Sequence, residues 1–241
     1  MSLESLLTVK RGASGADEDL VTEEGLSRNL PALRDAVSYW RCYPDRFVDF
    51  LASLDGSSNF KFKDFQRVML RAIFRHRYVY VVMTRGTSKS FISVMAMMVK
   101  AVLYPRCKLF VASGNKEQSA TIVQDKVSEI CNLVPAFRNE IVWDTRAAKN
   151  VSDAHTRQNK DSAVYSFKNG STLCNVVAGE QTRGRRFQCG LIEECINVDQ
   201  DILQQVLIPE TRSLWGTARR RAFENRVNPR QRGVRALACA C

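Results

Sequence analysis

Histidine is almost absent from this chain: its 241 residues hold only His76 and His155, and none of the eight cysteines stands in a CxxC pair. That removes the usual ligand sets of a zinc site, which draw on cysteine and histidine at short, regular spacings. Long apolar runs are missing too. The longest, Phe91 to Val99, is far short of the roughly 20 residues needed to cross a bilayer. No apolar leader with a basic flank and a small-residue cleavage site opens the sequence. The sequence therefore predicts a cytoplasmic chain without a membrane partner and with reduced thiols. Cys107, Cys174 and Cys189 lie in strand-like apolar runs and read as small core residues. No internal repeat is visible.

Acidic residues are scarce near the end of the chain. From Arg212 to Arg235 eight arginines face one acid, Glu224, so this stretch holds +7 of the formal net charge of +11. Such a run reads either as a solvated tail or as a DNA-contacting segment. The rest is only mildly basic, and with 45% hydrophobic residues it suffices for one sizeable α/β domain. Residues 1–35 mix Gly, Ser, Asp and Glu with little periodicity and read as an acidic, loosely ordered arm. The expected organisation is this arm, a domain over 36–211, and an arginine-rich, disordered tail over 212–241.

Within the domain, Ala36–Trp40 and Arg46–Leu51 carry apolar residues at helical spacing on either side of Pro44. Asn59–Phe74 predicts a further helix with Phe62, Phe65, Met69, Ala72 and Ile73 on one side. Tyr78–Met83 is an unbroken β-branched and aromatic run, as in a parallel strand covered on both faces. Ser90–Tyr104 reads as a buried helix ending at Pro105, and Lys108–Ala112 as a second strand. A turn at Ser113-Gly114-Asn115 leads to a helix bearing Ile122, Val127 and Ile130. Ala163–Phe167 and Thr172–Val177 flank Asn169-Gly170, a strong hairpin signal, and Phe187–Ile192 is the last clear strand. This order predicts an α/β fold with a mainly parallel sheet flanked by helices.

The loop Thr84-Arg85-Gly86-Thr87-Ser88-Lys89-Ser90 joins the first strand to the buried helix. A loop at such a junction can aim backbone N–H groups and the positive helix end at a polyphosphate, while a lysine reaches the β and γ phosphates and a hydroxyl holds magnesium. Lys89 and Ser90 stand in those two places. Met83 and Ser88 replace both glycines of the usual G-x-x-x-x-G-K-[ST] pattern. Ser88 in a left-handed conformation would cost about 1–2 kcal/mol, tolerable at a functional site.

An ATPase built on a loop of this kind needs a second strand ending in a metal-holding acid, followed by a carboxylate that positions the attacking water. Gly190-Leu191-Ile192-Glu193-Glu194 supplies that order. Glu193 is the candidate magnesium ligand, with Ser90, and Glu194 the candidate catalytic carboxylate.

With these residues in view, the chain resembles the ATPase domain of the large terminase subunit of tailed bacteriophages over about residues 36–212. Phe62-Lys63-Asp64-Phe65-Gln66-Arg67 looks like the family's adenine-recognising segment, and Thr84–Ser90 is similar to its variant Walker A loop. Val111–Gln118 looks like the segment after its second strand. Arg183-Gly184-Arg185-Arg186-Phe187, running into Ile192-Glu193-Glu194, resembles its approach to Walker B, and Tyr39–Phe47 is similar to its N-terminal segments. The resemblance implies a P-loop NTPase of the additional-strand, catalytic-glutamate type with ATP and Mg²⁺ as cofactors. It assigns the adenine to Gln66, and the γ phosphate to Arg85 and Lys89. It further implies packaging of double-stranded DNA together with a portal protein and a small terminase subunit, in a homo-oligomeric ring. The family's coupling motif and its nuclease domain have no counterpart after about residue 210, so a C-terminally truncated chain is expected. Two alternatives stay open: a helicase-like DNA translocase, and a nucleotide-binding fragment without coupled activity.

Overall fold

A computed structural model of the chain describes residues 23–54, 58–84, 86–143, 156–183, 185–208 and 235–240. The chain divides into two compact units, Met1–Tyr43 and Pro44–Cys241. In the first, helix α1 (Glu23–Cys42) begins inside the stretch that composition suggested as loosely ordered, and accommodates Pro31. Its last turn carries Arg41, a favourable charge at a helix C-terminus.

The second unit opens with α2 (Pro44–Leu54) and α3 (Asp64–Arg75). Proline suits the first turn of α2, where its missing N–H would have no partner anyway. The two helices are tied by charge. Arg71 grips Asp45 with two bonds of 2.7 Å, and Arg67 reaches both Asp45 (3.1 Å) and Asp49 (2.7 and 3.0 Å). Asp45 is fully buried. The helix expected from Asn59 starts only at Asp64, and Phe65 and Val68 point outward, while Phe62, Met69 and Ile73 are buried.

The sheet comprises β1 (Tyr78–Met83), β2 (Lys108–Ser113), β3 (Arg157–Asn159), β4 (Ser162–Ser166), β5 (Thr172–Val177), β6 (Cys189–Ile192) and β7 (Arg235–Ala240), in the order β1-β7-β6-β2-β5-β4-β3. It is mixed, where a mainly parallel one was expected. Strand β2 pairs in parallel with β5 and β6, but β7 inserts antiparallel to both β1 and β6, and β4 is antiparallel to β3 and β5. Because β7 is reversed against both neighbours, β1 runs the same way as β6, β2 and β5. The C-terminal ends of those four strands open on one edge. Strand β7 also lies within the stretch read as a disordered tail; residues 209–234 of that stretch lie outside the described ones.

Helix α4 (Lys89–Leu103) follows β1, and α5 (Lys116–Leu133) follows β2, capped by the Asn115 side chain, which accepts the Glu117 N–H at 3.0 Å. A short helix α6 (Ala136–Glu140) comes next. The side chain of Asn175, in β5, bonds to Ser119 Oγ and to the Lys116 carbonyl, so α5 lies on that face. The opposite face carries Phe110, Ala112, Val176, Phe187 and Ile192, packed with Leu203, Leu207 and Ile208 from the turn of helix around Gln200–Ile208. Strand β2 is buried on both faces as a result. The hairpin turn forms as its sequence predicts, with Gly170 at φ 82°, and the Asn169 amide donates to the Ala101 and Val102 carbonyls at the end of α4. Cys189 is disulfide-bonded, so it is not the reduced thiol expected. Among the described residues, no helix is long and apolar enough to cross a membrane.

Gly190 sits opposite Phe110 in the ladder, directly under its ring, and any Cβ added there would fall inside that ring. The Phe110 ring is fully buried and tilted against Phe187, with centroids 4.8 Å apart, so it has little room to move. Gly190→Ala is expected to destabilise the fold by about 1–3 kcal/mol, the usual cost of overpacking a tight core. Chemical denaturation monitored by circular dichroism checks it.

Candidate functional site

Elements from distant parts of the chain meet at the edge where the co-directional strands end. In open α/β sheets this is where ligands bind, at a crevice between strands that lead to opposite sides. From β1 comes the loop into α4. Gly86 (φ 81°) and Ser88 (φ 56°, ψ 29°) are both left-handed, so Ser88 adopts the conformation that its position demanded, in place of glycine. The Thr87 hydroxyl donates to the Thr84 carbonyl at 2.8 Å, bracing the turn. Thr84, Gly86 and Ser88 are exposed. Arg85 lies outside the described residues.

Helix α4 starts at Lys89 with Ser88 as its cap residue, and its first i+4 bond runs from Ile92 N–H to the Ser88 carbonyl at 3.0 Å. The amides before Ile92 have no acceptor within the helix, as in any first turn, and together with the helix dipole they favour an anion. From β6 comes Glu193, whose N–H extends the ladder to the Ala112 carbonyl at 2.8 Å.

The structure brings Lys89, Ser90 and Glu193 together across 103 residues of sequence. Ser90 Oγ donates to Glu193 Oε1 at 2.6 Å, a charge-assisted bond, and Lys89 Nζ stands 3.5 Å from the same oxygen. Both ionic side chains are buried, at 8% and 5% exposure. Glu193 Oε2 is buried with no hydrogen-bond partner. An orphaned carboxylate oxygen in a buried site is costly, and it belongs to a carboxylate whose other oxygen stands beside Lys89 at the start of α4.

Glu194 follows in a left-handed conformation (φ 50°), half-buried, and its Oε2 accepts from Asn197 Nδ2 at 3.3 Å, while Asn197 N–H caps the Glu194 carbonyl at 2.8 Å. The sequence reading missed Asn197. Its signal was available only in retrospect, as an amide three residues after an acid in a tight turn. Burial pushes the neighbouring Cys195 thiol up to about 11 against the opposing pull of the Lys89 charge, which makes it an inert core residue.

Gln66, which the resemblance assigns to the adenine, lies at the start of α3. It is buried in the first turn of α3, where its Oε1 accepts the Lys63 N–H at 2.9 Å, one half of a capping box. Its segment nevertheless borders the loop helix: Phe60 packs edge-on against Phe62 at 4.9 Å between centroids and against Phe91, in the first turn of α4, at 6.0 Å. In the approach to β6, Arg183 is paired with Glu180, and Arg185 and Arg186 are exposed.

The donor set at Ser90 and Glu193 is one hydroxyl and one carboxylate, hard oxygens that suit magnesium, a cation that keeps most of its water and takes one or two protein ligands. Among the described residues no group of three or more His, Cys, Asp or Glu side chains is placed to hold a metal, so a metal cage made wholly of protein is not on offer there. No protein-family model matches the chain, and no curated protein matches it in sequence.

Proposed function

We propose that the chain binds Mg·ATP at the start of α4 and hydrolyses it, as a P-loop NTPase acting as the motor domain of a phage large terminase. The observation that carries the nucleotide reading is the convergence of Lys89, Ser90 and Glu193, with the orphaned Glu193 Oε2, at the edge where the co-directional strands end. The loop carries two left-handed residues, Gly86 and Ser88, and left-handed residues are a common ingredient of backbone nests that cradle phosphate. Lys89 would hold the β and γ phosphates, and Ser90 would turn its hydroxyl from Glu193 to the metal. Magnesium bound there supplies charge neutralisation on the phosphates. Glu194, held by Asn197, orients the attacking water and takes its proton. The terminase part, with double-stranded DNA, portal and small subunit as partners, rests on the resemblance of the motifs.

The test is phosphate release from ATP with and without magnesium. Glu194→Gln keeps the shape of the side chain but cannot accept a proton, so it is expected to bind ATP within about twofold of the parent while kcat falls about 100-fold, the lower end for a positioned base. Undiminished turnover would remove Glu194 from the chemistry, and failure of the unaltered chain to bind Mg·ATP at millimolar concentration would sink the whole reading.

A further inference from the structure

At the edge of the sheet away from the phosphate loop, polar side chains converge a second time. Strands β4 and β3 are the last two in the sheet order, and β1 is the first. Between the later turns of α5, the short helix α6 and the β3–β4 hairpin lies a cavity of about 180 Å³. Cys131, in its wall, is about 22 Å along the helix from Lys116, where α5 begins.

The walls are held by bonds between separate elements. Gln124 Nε2 donates to the Asn159 and Ser162 carbonyls, at the two ends of the hairpin turn, at 2.7 and 3.3 Å. Gln158 Nε2 donates to the Tyr165 hydroxyl at 3.0 Å. Trp143 Nε1 donates to the Arg138 carbonyl at 2.8 Å, and the preceding Val142 N–H donates to the Ser166 carbonyl of β4 at 2.8 Å. The Trp143 indole is thereby fixed at the rim, 43% exposed. It stands edge-to-face with the buried Tyr165 ring, centroids 6.1 Å apart, and the Arg138 guanidinium lies over it at 5.6 Å.

The chemistry of the lining selects the ligand. Among the described residues that line the cavity there is one cation, Arg138, and no carboxylate, so the occupant is neutral or anionic. Burial pushes the Cys131 thiol up to about 11 against the pull of the Arg138 charge, and that wall stays neutral. Ser128 and Asn132 are four residues apart on α5 and share a face. Among the described residues, their side chains make no hydrogen bond to the protein. A carboxamide offers a donor and an acceptor side by side, matching the N–H and C=O pairs on the edge of a nucleobase, and an exposed aromatic ring supplies a stacking surface. Size narrows the choice. A cavity of about 150 Å³ holds benzene, so 180 Å³ takes one six-membered ring with its substituents and is tight for a two-ring purine.

We infer that this cavity binds a single pyrimidine nucleotide, with the base against Trp143 and Asn132 and the phosphate at Arg138. The site is separate from the loop before α4, and it stands or falls independently of the function proposed above. Free thymidine monophosphate and one residue of a thymidine single strand present the same chemistry.

Calorimetric titrations of the full chain with thymidine monophosphate, deoxyadenosine monophosphate and a short oligothymidylate, in EDTA, are compared with those of Trp143→Leu and Asn132→Asp. Thymidine monophosphate is expected to bind at millimolar concentration or below and the adenine nucleotide more weakly. Each variant is expected to lose about tenfold, the scale of one stacking or edge contact. Asn132 is exposed on a helix, so Asn132→Asp keeps the fold and its loss reports the contact. Tighter binding of the oligomer, with the same losses in the variants, identifies a single strand as the source; equal or weaker binding identifies the free nucleotide. Magnesium with excess ATP is expected to leave the thymidine titration unchanged. The inference is overturned by lack of binding of both thymidine ligands, by parental affinity in either variant, by equal affinity for the adenine nucleotide, or by displacement with Mg·ATP, which would put the ligand at the loop.

Discussion

Lys89→Ala is expected to lower kcat/KM for ATP by about 10³-fold or more and, independently, to weaken the fold. The first effect follows from position. Lys89 is the cation at the start of α4, buried to 8% exposure and 3.5 Å from Glu193 Oε1, in surroundings where water cannot replace it. Removing one preorganised donor from a developing charge typically costs 10²–10³ in rate, and losing ground-state binding of the β and γ phosphates adds to this in kcat/KM. The second effect follows from burial. Without the ammonium, the Glu193 carboxylate keeps only the Ser90 hydroxyl, and breaking a buried pair from one side costs about 3–5 kcal/mol. These effects separate in the double variant Lys89→Ala/Glu193→Gln. A neutral amide no longer needs a cation, so the double variant should regain much of the lost stability and none of the activity. Thermal unfolding and phosphate release on the same samples measure the two. A Lys89→Ala protein with parental turnover would show that the loop grips no phosphate.

Much of this site was legible because its parts sit at the ends of strongly patterned elements. The run Tyr78–Met83, the mostly apolar Phe91–Val99 and the strand leading to Glu193 each announce themselves by composition, and their order places Lys89 and Ser90 at a helix start and Glu193 just after a strand. The left-handed Ser88 was foreseeable too, since it stands where the usual loop pattern has its second glycine. What could not be read is what depends on partners distant in sequence. Strand β7 lies at the end of an arginine-rich stretch and has no local pattern tying it to β1, so a strand of the sheet read as tail. The capping bond from Lys63 N–H to Gln66 could not be read either, because it needs the helix to begin at Asp64, and the apolar spacing suggested Asn59. Phe65 satisfied a helical period but is exposed, because Asp45 and Asp49 hold Arg67 and Arg71 against α2 and fix the rotation of α3.

That last constraint carries the largest stability effect expected away from the site. Arg71→Met is expected to cost about 3 kcal/mol, more than Asp45→Asn, although both break the same pair. Asp45 is fully buried, and Arg71 supplies two of its three arginine bonds. Taking Arg71 away leaves a buried carboxylate whose one remaining arginine bond is the 3.1 Å bond from Arg67, near the lower end of the 3–5 kcal/mol seen when a buried ion loses its partner. Asp45→Asn instead leaves the charge on arginines that are 26% and 32% exposed and can turn to water, and Arg67 retains Asp49. A loss of about 1–2 kcal/mol is the scale for weakened bonds to a charged group. Acid should reveal the same pair. Burial alone would raise the Asp45 carboxyl, but the Arg71 and Arg67 hydrogen bonds outweigh it and hold the group below its ordinary 3.8. A carboxyl depressed in the folded state stabilises fully above its unfolded value, and that contribution is lost as pH falls through the folded one. The stability gap between the parent and Asp45→Asn should therefore be constant above about pH 5 and narrow progressively below 3.8. Urea unfolding of the two proteins across that range gives the gap directly, other carboxyls cancelling in the difference. A gap that stays flat down to pH 2.5 would mean that Asp45 owes nothing to its arginines.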